Sequence, residues 1–333
     1  MKAVLMNAAG EPEVLQAKEV PDPELYGPSD VLVRLKAAGV NPVDTKVRRA
    51  HIYHPGNLPA VLGCDGAGVV EQVGTTVTRF RPGDEVFFFN NGLGGPPGCY
   101  AEYTVVHEDF LARKPRNLSM VEAAALPLVF ITAWEALVER AQLHRDQTVL
   151  IHGGAGGVGH VAIQLARTLG AYVATTVSND EKAGFVRALG AGFAINYRER
   201  DFVDAALEWT DGLGVKTVLD TVGGETFCHS FAATRVYGRV VTILSTACGI
   251  AAINTARLRN LAVAYVQMTA PLYLGLHAAR VRQTRMLDEA CRLAEAGEVK
   301  PVVSRLLPLE AAADAHRLLE DGHVTGKVVL DIP

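Results

Sequence analysis

The sequence has few cysteines and no pair of them at a metal-binding spacing. The five cysteines are odd in number and lie far apart in the chain of 333 residues: Cys64, Cys99, Cys228, Cys248 and Cys291. Disulfide frameworks and structural zinc sites need even sets or closely spaced pairs, so this pattern argues against both. The reducing cytoplasm is the simplest compartment for such a chain.

Runs of one charge sign are missing as well. The chain has 32 Lys and Arg residues against 36 Asp and Glu residues, a net charge of −4, and no run of basic residues. It therefore lacks the positive surface that attracts a phosphate backbone or an anionic membrane. We expect neither nucleic acid nor a membrane as a partner.

Long hydrophobic runs are also scarce. The first residues, 1–7, are not followed by the apolar stretch of a secretory signal. Residues 261–279 carry no formal charge and approach the length of a membrane-spanning helix, but Pro271 near their middle would remove a backbone hydrogen bond. We predict instead a buried strand over 262–266, a break at Pro271 and a helix over 278–296.

Two patterns of secondary structure divide the chain. In the first third, short strands alternate with Gly and Pro turns, as at 30–36, where apolar and charged residues alternate. This pattern predicts an irregular, mostly antiparallel β-domain. From about residue 120 strands and helices alternate, which predicts a doubly wound parallel sheet. The last strand, 327–330, has no helix after it, so we expect the tail to return to the first domain.

A glycine-rich turn follows the predicted strand at 149–152. Residues 154–159 read Gly-Ala-Gly-Gly-Val-Gly, which fits G-x-G-x-x-G, and a helical pattern follows them. Glycines let the backbone approach a pyrophosphate closely, and the helix N-terminus supplies N–H donors and the positive end of a dipole. The turn predicts a bound dinucleotide.

The end of the next strand indicates which dinucleotide is bound. An acidic side chain there would bind the 2′-hydroxyl of NAD, but the chain has Ser178, with Lys182 one helical turn later. A hydroxyl and an ammonium suit a 2′-phosphate, so we favour NADP(H). Asp180 and Glu181 leave NAD open, because a shift of two residues in the strand end would bring an acid into place.

Eight short segments, in order along nearly the whole chain, resemble the medium-chain dehydrogenase/reductases. Within that superfamily they resemble the zinc-independent quinone oxidoreductases related to zeta-crystallin. The segments are 38–44, which contains Asn-Pro-Val-Asp, and 63–70, 81–86, 100–103, 131–134, 153–159, 195–198 and 326–327. The resemblance implies an α/β fold in which a Rossmann doubly wound parallel sheet is inserted into a GroES-like, mostly antiparallel β catalytic domain. Residues 1–120 plus 271–333 would form the catalytic domain and 121–270 the dinucleotide-binding domain, in a homodimer or homotetramer.

The resemblance also bears on zinc. Zinc-dependent relatives have a Cys where this chain has Asn41, a His-Glu pair where it has Cys64 and Asp65, and a third ligand near Leu128. Only Cys64 and Asp65 could bind, whereas a catalytic zinc needs three protein ligands, so we predict no metal. Quinones and enones already present an electron-poor carbon and need no Lewis acid, which favours them as small-molecule substrates.

Candidate site residues follow from the same resemblance. Asn41 would donate a hydrogen bond to a carbonyl or to the nicotinamide ribose, unless it only forms the turn before Pro42. Tyr53 or Lys46 would supply a proton, unless Lys46 is merely solvated. Asp44 would hold Arg48 or the loop rather than act as a base. The cofactor-binding residues fall into four groups. They would be Thr132, Gly154, Gly156, Gly157 and Val158 at the phosphates, Ser178, Lys182 and Tyr197 at the 2′-phosphate, Leu244, Ser245 and Met268 at the nicotinamide, and Lys327 at the cofactor or the mouth of the cleft.

Three functions remain open from the sequence. The first, which we favour, is an NADPH-dependent reductase of a quinone or another conjugated carbonyl. The second is a crystallin-like NADPH-binding protein with little activity. The third is an enone or acyl-thioester reductase of the same superfamily. The remaining candidates, His51, His54, His152 and His160, lack partners at a catalytic spacing and are expected to be structural.

Overall fold

The computed structural model describes residues 1–50 and 52–333, so His51 and its expected structural role lie outside the described residues. The chain divides into two compact units, Met1–Leu128 with Thr269–Pro333, and Val129–Met268. The sequence had suggested borders near residues 120 and 270. Leu128 belongs to the first unit, where its backbone N–H donates to the Asp65 carboxylate over 2.9 Å.

The amino-terminal part of the first unit consists of short strands and two helices. In chain order these are β1 (Lys2–Met6), β2 (Leu15–Glu19), β3 (Asp30–Val40), α1 (Pro42–Ala50), β4 (Ala60–Val61), β5 (Asp65–Val73), β6 (Glu85–Phe89), β7 (Tyr103–His107), β8 (Ala112–Arg113) and α2 (Met120–Ala124). The predicted alternation in β3 is confirmed, since Val31, Val33 and Leu35 are buried and Arg34 is exposed. The helix α1, which the β-pattern did not predict, starts at a proline whose fixed φ suits a first helical turn.

The second unit is a parallel sheet between helices. Helix α3 (Pro127–Trp134) leads into it, and the elements that follow are β9 (Thr148–Ile151), α4 (Gly157–Thr168), β10 (Tyr172–Val177), α5 (Asp180–Ala188), β11 (Phe193–Asn196), α6 (Phe202–Trp209), β12 (Val215–Asp220), α7 (Gly224–Ala233), β13 (Thr234–Thr242), α8 (Ile250–Leu258) and β14 (Ala262–Tyr265). The strands pair in parallel in the order β11-β10-β9-β12-β13-β14. The predicted doubly wound sheet is confirmed, and its order reverses at β9.

The carboxyl-terminal part of the chain returns to the first unit. It contains α9 (Ala270–Tyr273), α10 (His277–Glu295), β15 (Val303–Pro308), α11 (Ala312–Glu320) and β16 (Lys327–Asp331). Strand β16 pairs antiparallel with β3 and parallel with β15, in a sheet ordered β15-β16-β3-β5-β6-β8 with β7 also on β3. The predicted return of the tail is therefore confirmed.

The strand predicted over 262–266 forms as β14, but the prediction that it is buried is wrong, because β14 is an exposed edge strand of the sheet. Between it and α10, Pro271 lies in the first turn of the short helix α9, where a helical residue needs no backbone N–H. The uncharged stretch 261–279 is divided among β14, α9 and the start of α10. Within residues 1–50 and 52–333, no helix has the length and apolar character needed to cross a membrane.

The expectation of no disulfide is also wrong. Cys228 on α7 and Cys248 in the segment after β13 form a disulfide, while Cys64, Cys99 and Cys291 are free thiols. The two cysteines are 20 positions apart in the sequence, but β12 and β13 are neighbours in the sheet and the segments after them meet at one edge. With this disulfide, the cysteines of the chain no longer point to a reducing compartment.

Candidate functional site

The glycine turn lies at the carboxyl end of β9, where the strand order reverses. A Cβ on Gly154 would lie 2.0 Å from Thr175 Oγ1, so no side chain fits there. A Cβ on Gly159 would lie 2.2 Å from Gly153 O, which means that α4 packs directly against the turn. Ligands of doubly wound sheets bind outside the carboxyl ends of the strands at such a reversal. The turn has the geometry of a pyrophosphate cradle.

The residues predicted for the pyrophosphate lie at the start of α4. Gly156 is the N-cap with an extended backbone, Gly157 and Val158 open the helix, and all three are half-buried. The N–H groups of a first helical turn have no intrahelical partner and point toward any anion in front of the helix. Thr132, predicted for the phosphates too, lies on α3 in the interior and is 3% exposed.

The residues predicted for the 2′-phosphate gather at the end of β10. The strand ends at Val177 as the sequence predicted, so Ser178 is the first residue beyond it. The backbone N–H of Tyr197, which follows β11, donates to Val177 O over 3.1 Å, which places Tyr197 beside the strand end with its side chain exposed. A hydroxyl and a phenol are thus available at the end of the second strand.

Lys182 enters the same region from the first turn of α5. The Asn179 side chain caps that helix by accepting a hydrogen bond from the Lys182 backbone N–H over 2.9 Å. Asp180 and Glu181 are exposed in the first turn, where negative charge interacts favourably with the helix dipole. Neither acid occupies the strand end, because the two-residue shift that would have placed one there does not occur.

The residues predicted for the nicotinamide follow adjacent strands. Leu244 and Ser245 follow β13, and Met268 follows β14. The Leu244 N–H donates to Thr242 Oγ1 over 3.1 Å, and the Thr242 hydroxyl donates to the buried Asp220 carboxylate over 2.7 Å. Met268 is 5% exposed. All three residues lie at the carboxyl edge of the parallel sheet, the edge that also carries the glycine turn.

In the first unit, Asn41 lies in a buried polar cluster with Asp65 and Lys327. The Asn41 amide N–H donates to Asp65 Oδ2 over 2.9 Å, and the Lys327 ammonium donates to Asn41 Oδ1 and to Val40 O. Strand register brings them together, because β3 pairs Gly39 with Asp65 on one side and Val40 with Val328 on the other. Asn41 and Asp65 are fully buried, and Lys327 is 3% exposed.

Burial shifts the pKa values of both charged groups in this cluster. Desolvation raises the pKa of Asp65 and lowers that of Lys327, and in each case the charge of the partner, 3.6 Å away, opposes the shift. Three further groups bind this pair: the Asn41 side chain, Val40 O and the Leu128 N–H, which donates to Asp65 Oδ1. The predicted reach of Lys327 to the cofactor or the mouth of the cleft stays a prediction.

A second set of buried groups surrounds Asp44. Its carboxylate accepts hydrogen bonds from Asn41 N–H over 2.8 Å and from the Tyr100 hydroxyl over 3.0 Å, and Tyr100 also lies 3.2 Å from His316 Nε2. Desolvation raises the pKa of Asp44 to about 7 and lowers that of His316 to about 3. Asp44 therefore holds the turn at Asn41, as expected.

Arg48 does not pair with Asp44. Its guanidinium donates to Glu320 on α11 over 2.5 Å, although the Arg48 side chain is fully buried. Asp44 was predicted to hold either Arg48 or the loop, and in the structure it holds the loop. The ion pair instead fastens α1 to α11.

Tyr53 and Lys46 differ in exposure. Tyr53 is half-buried, its hydroxyl lies 3.3 Å from Thr269 Oγ1 and its ring lies 5.0 Å from that of Tyr273. Lys46 is on the exposed face of α1, while the next residue, Val47, is buried. Of the two predicted proton donors, Tyr53 has the more enclosed position.

The residues at the zinc-ligand positions include two side chains of a type that binds zinc, Cys64 and Asp65. Cys64 is fully buried, and burial raises the pKa of its thiol. Asp65 is already bound by Lys327, Asn41 and the Leu128 N–H, while Asn41 and Leu128 offer no ligand of their own. Across residues 1–50 and 52–333, no group of three His, Cys, Asp or Glu side chains could hold a metal ion.

Three of the remaining histidines pack within the units. His152 is fully buried with its ring nitrogens 3.3 Å from Thr176 Oγ1 and 3.0 Å from Ser230 Oγ, and burial lowers its pKa to about 4. His160 Nδ1 lies 2.9 Å from Gly156 O, and the His54 ring lies 5.7 Å from that of Tyr273. These contacts agree with structural roles.

Comparisons with known proteins agree with both units. The profile described as "Alcohol dehydrogenase GroES-like domain" matches residues 27–116, and the one described as "Zinc-binding dehydrogenase" matches residues 189–330. The chain is 36% identical over 330 residues to a quinone oxidoreductase of Pseudomonas aeruginosa, covering 99% of each chain.

Solved structures show the same similarity. A structure described as an NAD-dependent alcohol dehydrogenase superposes with a TM-score of 0.91 at 37% identity, and the Escherichia coli quinone oxidoreductase complexed with NADPH superposes with 0.87 at 30% identity. Each comparison covers 100% of both chains. The chain belongs to the medium-chain dehydrogenase/reductases, oxidoreductases that use a nicotinamide cofactor. Within them it belongs to the quinone oxidoreductase family, and the predicted fold of a Rossmann sheet with a GroES-like domain is confirmed.

The sequence did not reveal the pairing of Asp65 with Lys327. Asp65 was considered only as a metal ligand and Lys327 only as a cofactor contact. A signal was available, because a lone Lys that opens an apolar strand, as in Lys-Val-Val-Leu, must find an anion once the strand is buried.

Replacing Lys327 by Met tests the buried ion pair. The change leaves the Asp65 carboxylate buried without its cation, so we expect the free energy of unfolding in urea to fall by about 3–5 kcal/mol. The second change Asp65→Asn should restore part of that loss. As a control, Lys300→Met removes an ammonium that is 68% exposed and 3.1 Å from Glu122, which should cost at most about 1 kcal/mol. Equal losses in Lys327→Met and Lys300→Met would contradict the prediction.

Replacing Asp44 by Asn tests its raised pKa. The folded chain keeps the carboxyl protonated up to about pH 7, whereas the unfolded chain loses the proton near 3.8, so unfolding releases a proton between these values. Stability should therefore fall as pH rises through this window, by up to about 1.4 kcal/mol per pH unit relative to Asp44→Asn, and level off above pH 7. Urea unfolding from pH 4 to 8 measures this difference. The exposed variant Asp321→Asn should keep the wild-type profile, and a wild-type profile in Asp44→Asn would disprove the assignment.

Proposed function

We propose that this protein is a zinc-independent, NADPH-dependent reductase of quinones or other conjugated carbonyls. The observation that carries the proposal is the set of side chains at the end of β10. There Ser178, Lys182 and Tyr197 offer two hydroxyl groups and an ammonium, while the nearby acids face solvent in the first turn of α5. A site with these groups favours a 2′-phosphate over a 2′-hydroxyl.

The second unit supplies the groups that would hold NADPH. The helix end at Gly156, Gly157 and Val158 would bind the pyrophosphate, while Gly154 lets the turn pack closely against Thr175. Leu244, Ser245 and Met268, which follow neighbouring strands, would border the nicotinamide. When bound, NADPH supplies a hydride from the nicotinamide ring. Thr132, a buried residue on α3, would touch the cofactor phosphates.

The donor set at Cys64 supports chemistry without zinc. A protonated, buried thiol and a carboxylate that already binds an ammonium cannot supply three ligands and an open position. Alcohol oxidation normally requires a Lewis acid to polarise the oxygen, whereas a quinone or an enone accepts hydride at a carbon that is already electron-poor. The residues at this position therefore suit conjugated carbonyl substrates.

Of the three predicted catalytic residues, Tyr53 would supply the proton. Its phenol is partly enclosed and lies 3.3 Å from Thr269 Oγ1, which would orient the hydroxyl. Asn41 is fully buried with its amide held by Asp65 and Lys327, so it would fix the loop that precedes α1. Lys46 is solvated and would contribute positive charge near the substrate at most.

We also propose how the chain is organised and where it works. Residues 1–120 plus 271–333 would bind the substrate and 121–270 the cofactor. A homodimer or homotetramer would form through β14, an edge strand whose apolar Val263 and Tyr265 are 39% and 56% exposed, and next to which α8 buries no residue. The cytoplasm would be its compartment, where the Cys228–Cys248 disulfide would be open to reduction.

A second function is favoured by the burial of Asn41. Because one amide N–H donates to Asp65 and the amide oxygen accepts from Lys327, Asn41 would have only its second N–H to offer a substrate carbonyl. With Lys46 also solvated, a protein that binds NADPH but turns over little is a coherent alternative. The two functions separate cleanly in an activity assay.

Replacing Lys182 by Ala tests the choice of cofactor. Loss of one charge-assisted hydrogen bond to a 2′-phosphate should raise the Kd of NADPH roughly 10- to 100-fold, while the Kd of NADH changes by less than about 2-fold. Fluorescence titration measures both constants. Arg187→Ala, at the opposite end of α5, is the matched control and should leave both unchanged. Equal losses for the two cofactors would reverse the assignment in favour of NAD.

Substrate turnover tests the reaction and the absence of zinc together. We expect NADPH consumption, followed by its absorbance, in the presence of at least one acceptor from a panel of benzoquinones, naphthoquinones and enones. A zinc chelator should change the rate by less than about 2-fold, since no residue set here satisfies a catalytic zinc. Loss of activity with the chelator would disprove zinc independence. NADPH binding without turnover of any acceptor would establish the second function instead.

A further inference from the structure

The segment 243–249, between β13 and α8, has little regular structure of its own. Its first residues are held by the end of the sheet, where Ile243 N–H donates to Asp220 O over 3.2 Å and Leu244 N–H to Thr242 Oγ1. Ser245 is exposed, and Leu244 and Thr246 are half-buried. A segment with few backbone hydrogen bonds depends on its side-chain attachments for a fixed position.

Helix α7 provides those attachments. Gly224 N–H donates to Thr246 Oγ1 over 3.2 Å at an exposed position, where water competes for the bond. The other attachment is covalent, because Cys228 on α7 is disulfide-bonded to Cys248, and Cys228 Sγ also lies 3.8 Å from Ala247 O. The disulfide is therefore the stronger of the two links between the segment and α7.

The helix that carries Cys228 is itself anchored to the sheet. The fully buried Asp220 carboxylate accepts hydrogen bonds from Val222 N–H over 3.1 Å and Gly223 N–H over 2.9 Å, immediately before α7 begins. Phe227 and Phe231 of α7 pack into the core of the second unit, and Cys228 packs against the same cluster. Because α7 is fixed on the sheet, a covalent link to it restrains the segment 243–249 as well.

We propose that the Cys228–Cys248 disulfide positions the segment 243–249 for cofactor binding, and that its reduction by a dithiol weakens the binding of NADPH. The proposal rests on the proposed function, because Leu244 and Ser245 are nicotinamide contacts only if NADPH is the cofactor. Cys228 and Cys248 are thus positioning residues, which act through the segment and not on the reacting atoms.

The chemistry of reduction is a balanced thiol–disulfide exchange. A thiolate of the dithiol attacks one sulfur, forming a mixed disulfide and releasing the other cysteine as a thiolate that takes up a proton. The second thiol of the reductant then displaces the first cysteine, so the reductant is oxidised to a disulfide and the protein gains two thiols. Both cysteines are half-buried and hence within reach of a reductant, whereas Cys64 and Cys99 are fully buried and remain outside this exchange.

Reduction should act through conformational freedom. Once the covalent link is broken, bound NADPH must itself order the residues that the disulfide held. Fixing the backbone of a single residue corresponds to roughly a tenfold change in an equilibrium constant. We therefore expect reduction to raise the Kd of NADPH about tenfold or more.

The test compares the full-length protein before and after treatment with dithiothreitol. Thiol titration under denaturing conditions should give three free thiols before treatment and five after it, in keeping with the free Cys64, Cys99 and Cys291 of the five cysteines. Fluorescence titration gives the Kd of NADPH for each form. Hydrogen exchange of the amides in residues 244–249 reports on the segment without any cofactor and should become faster on reduction.

Two variants complete the test. The double variant Cys228→Ser with Cys248→Ser should bind NADPH as weakly as the reduced protein and should not respond to dithiothreitol. Cys291→Ser removes a free, half-buried thiol on α10 and should behave like the wild type. Unchanged exchange in residues 244–249, five thiols in protein kept under air, or equal NADPH binding by oxidised and reduced protein would overturn the inference. Failure of the proposed function has another signature, in which neither form binds NADPH although exchange of the segment still becomes faster.

Discussion

The buried carboxylate of Asp65 is the constraint on which the first unit depends. A carboxylate in the interior is strongly destabilising unless its charge is paired and its oxygens accept hydrogen bonds. Asp65 satisfies both needs through partners on three other segments: Asn41 after β3, Lys327 at the start of β16, and the backbone of Leu128 in α3. Chain segments that are distant in sequence must therefore assemble together before this charge is accommodated.

Hydrogen bonds also connect the loops around this cluster. Asp44 accepts one from the Asn41 backbone N–H and one from the Tyr100 hydroxyl, and thereby joins the loops on which these residues lie. The arrangement depends on protonation, since burial raises the pKa of both Asp44 and Asp65. A network of this kind rigidifies the site only while every member has its partner.

The sequence predicted the second unit better than the first because its signals are local. The glycine turn, the strand before it and the helix after it occupy adjacent residues, and the end of β10 at Val177 followed from one short apolar run. The helix α1 and the disulfide were missed. Whether Cys228 meets Cys248 depends on the pairing of β12 with β13, which no spacing within the sequence expresses.

The same distinction separates cofactor recognition from catalysis in this family member. The proposed cofactor choice rests on Ser178 and Lys182, which lie four positions apart and whose chemistry is visible in the sequence. The buried cluster of the first unit rests on contacts such as Lys327 with Asn41, which are 286 positions apart and follow from the register of β16 on β3. A one-residue slip of β16 would turn the Lys327 side chain to the other face of the sheet. Strand register thus decides whether Asn41 is held in the interior, and with it the position of the loop before α1.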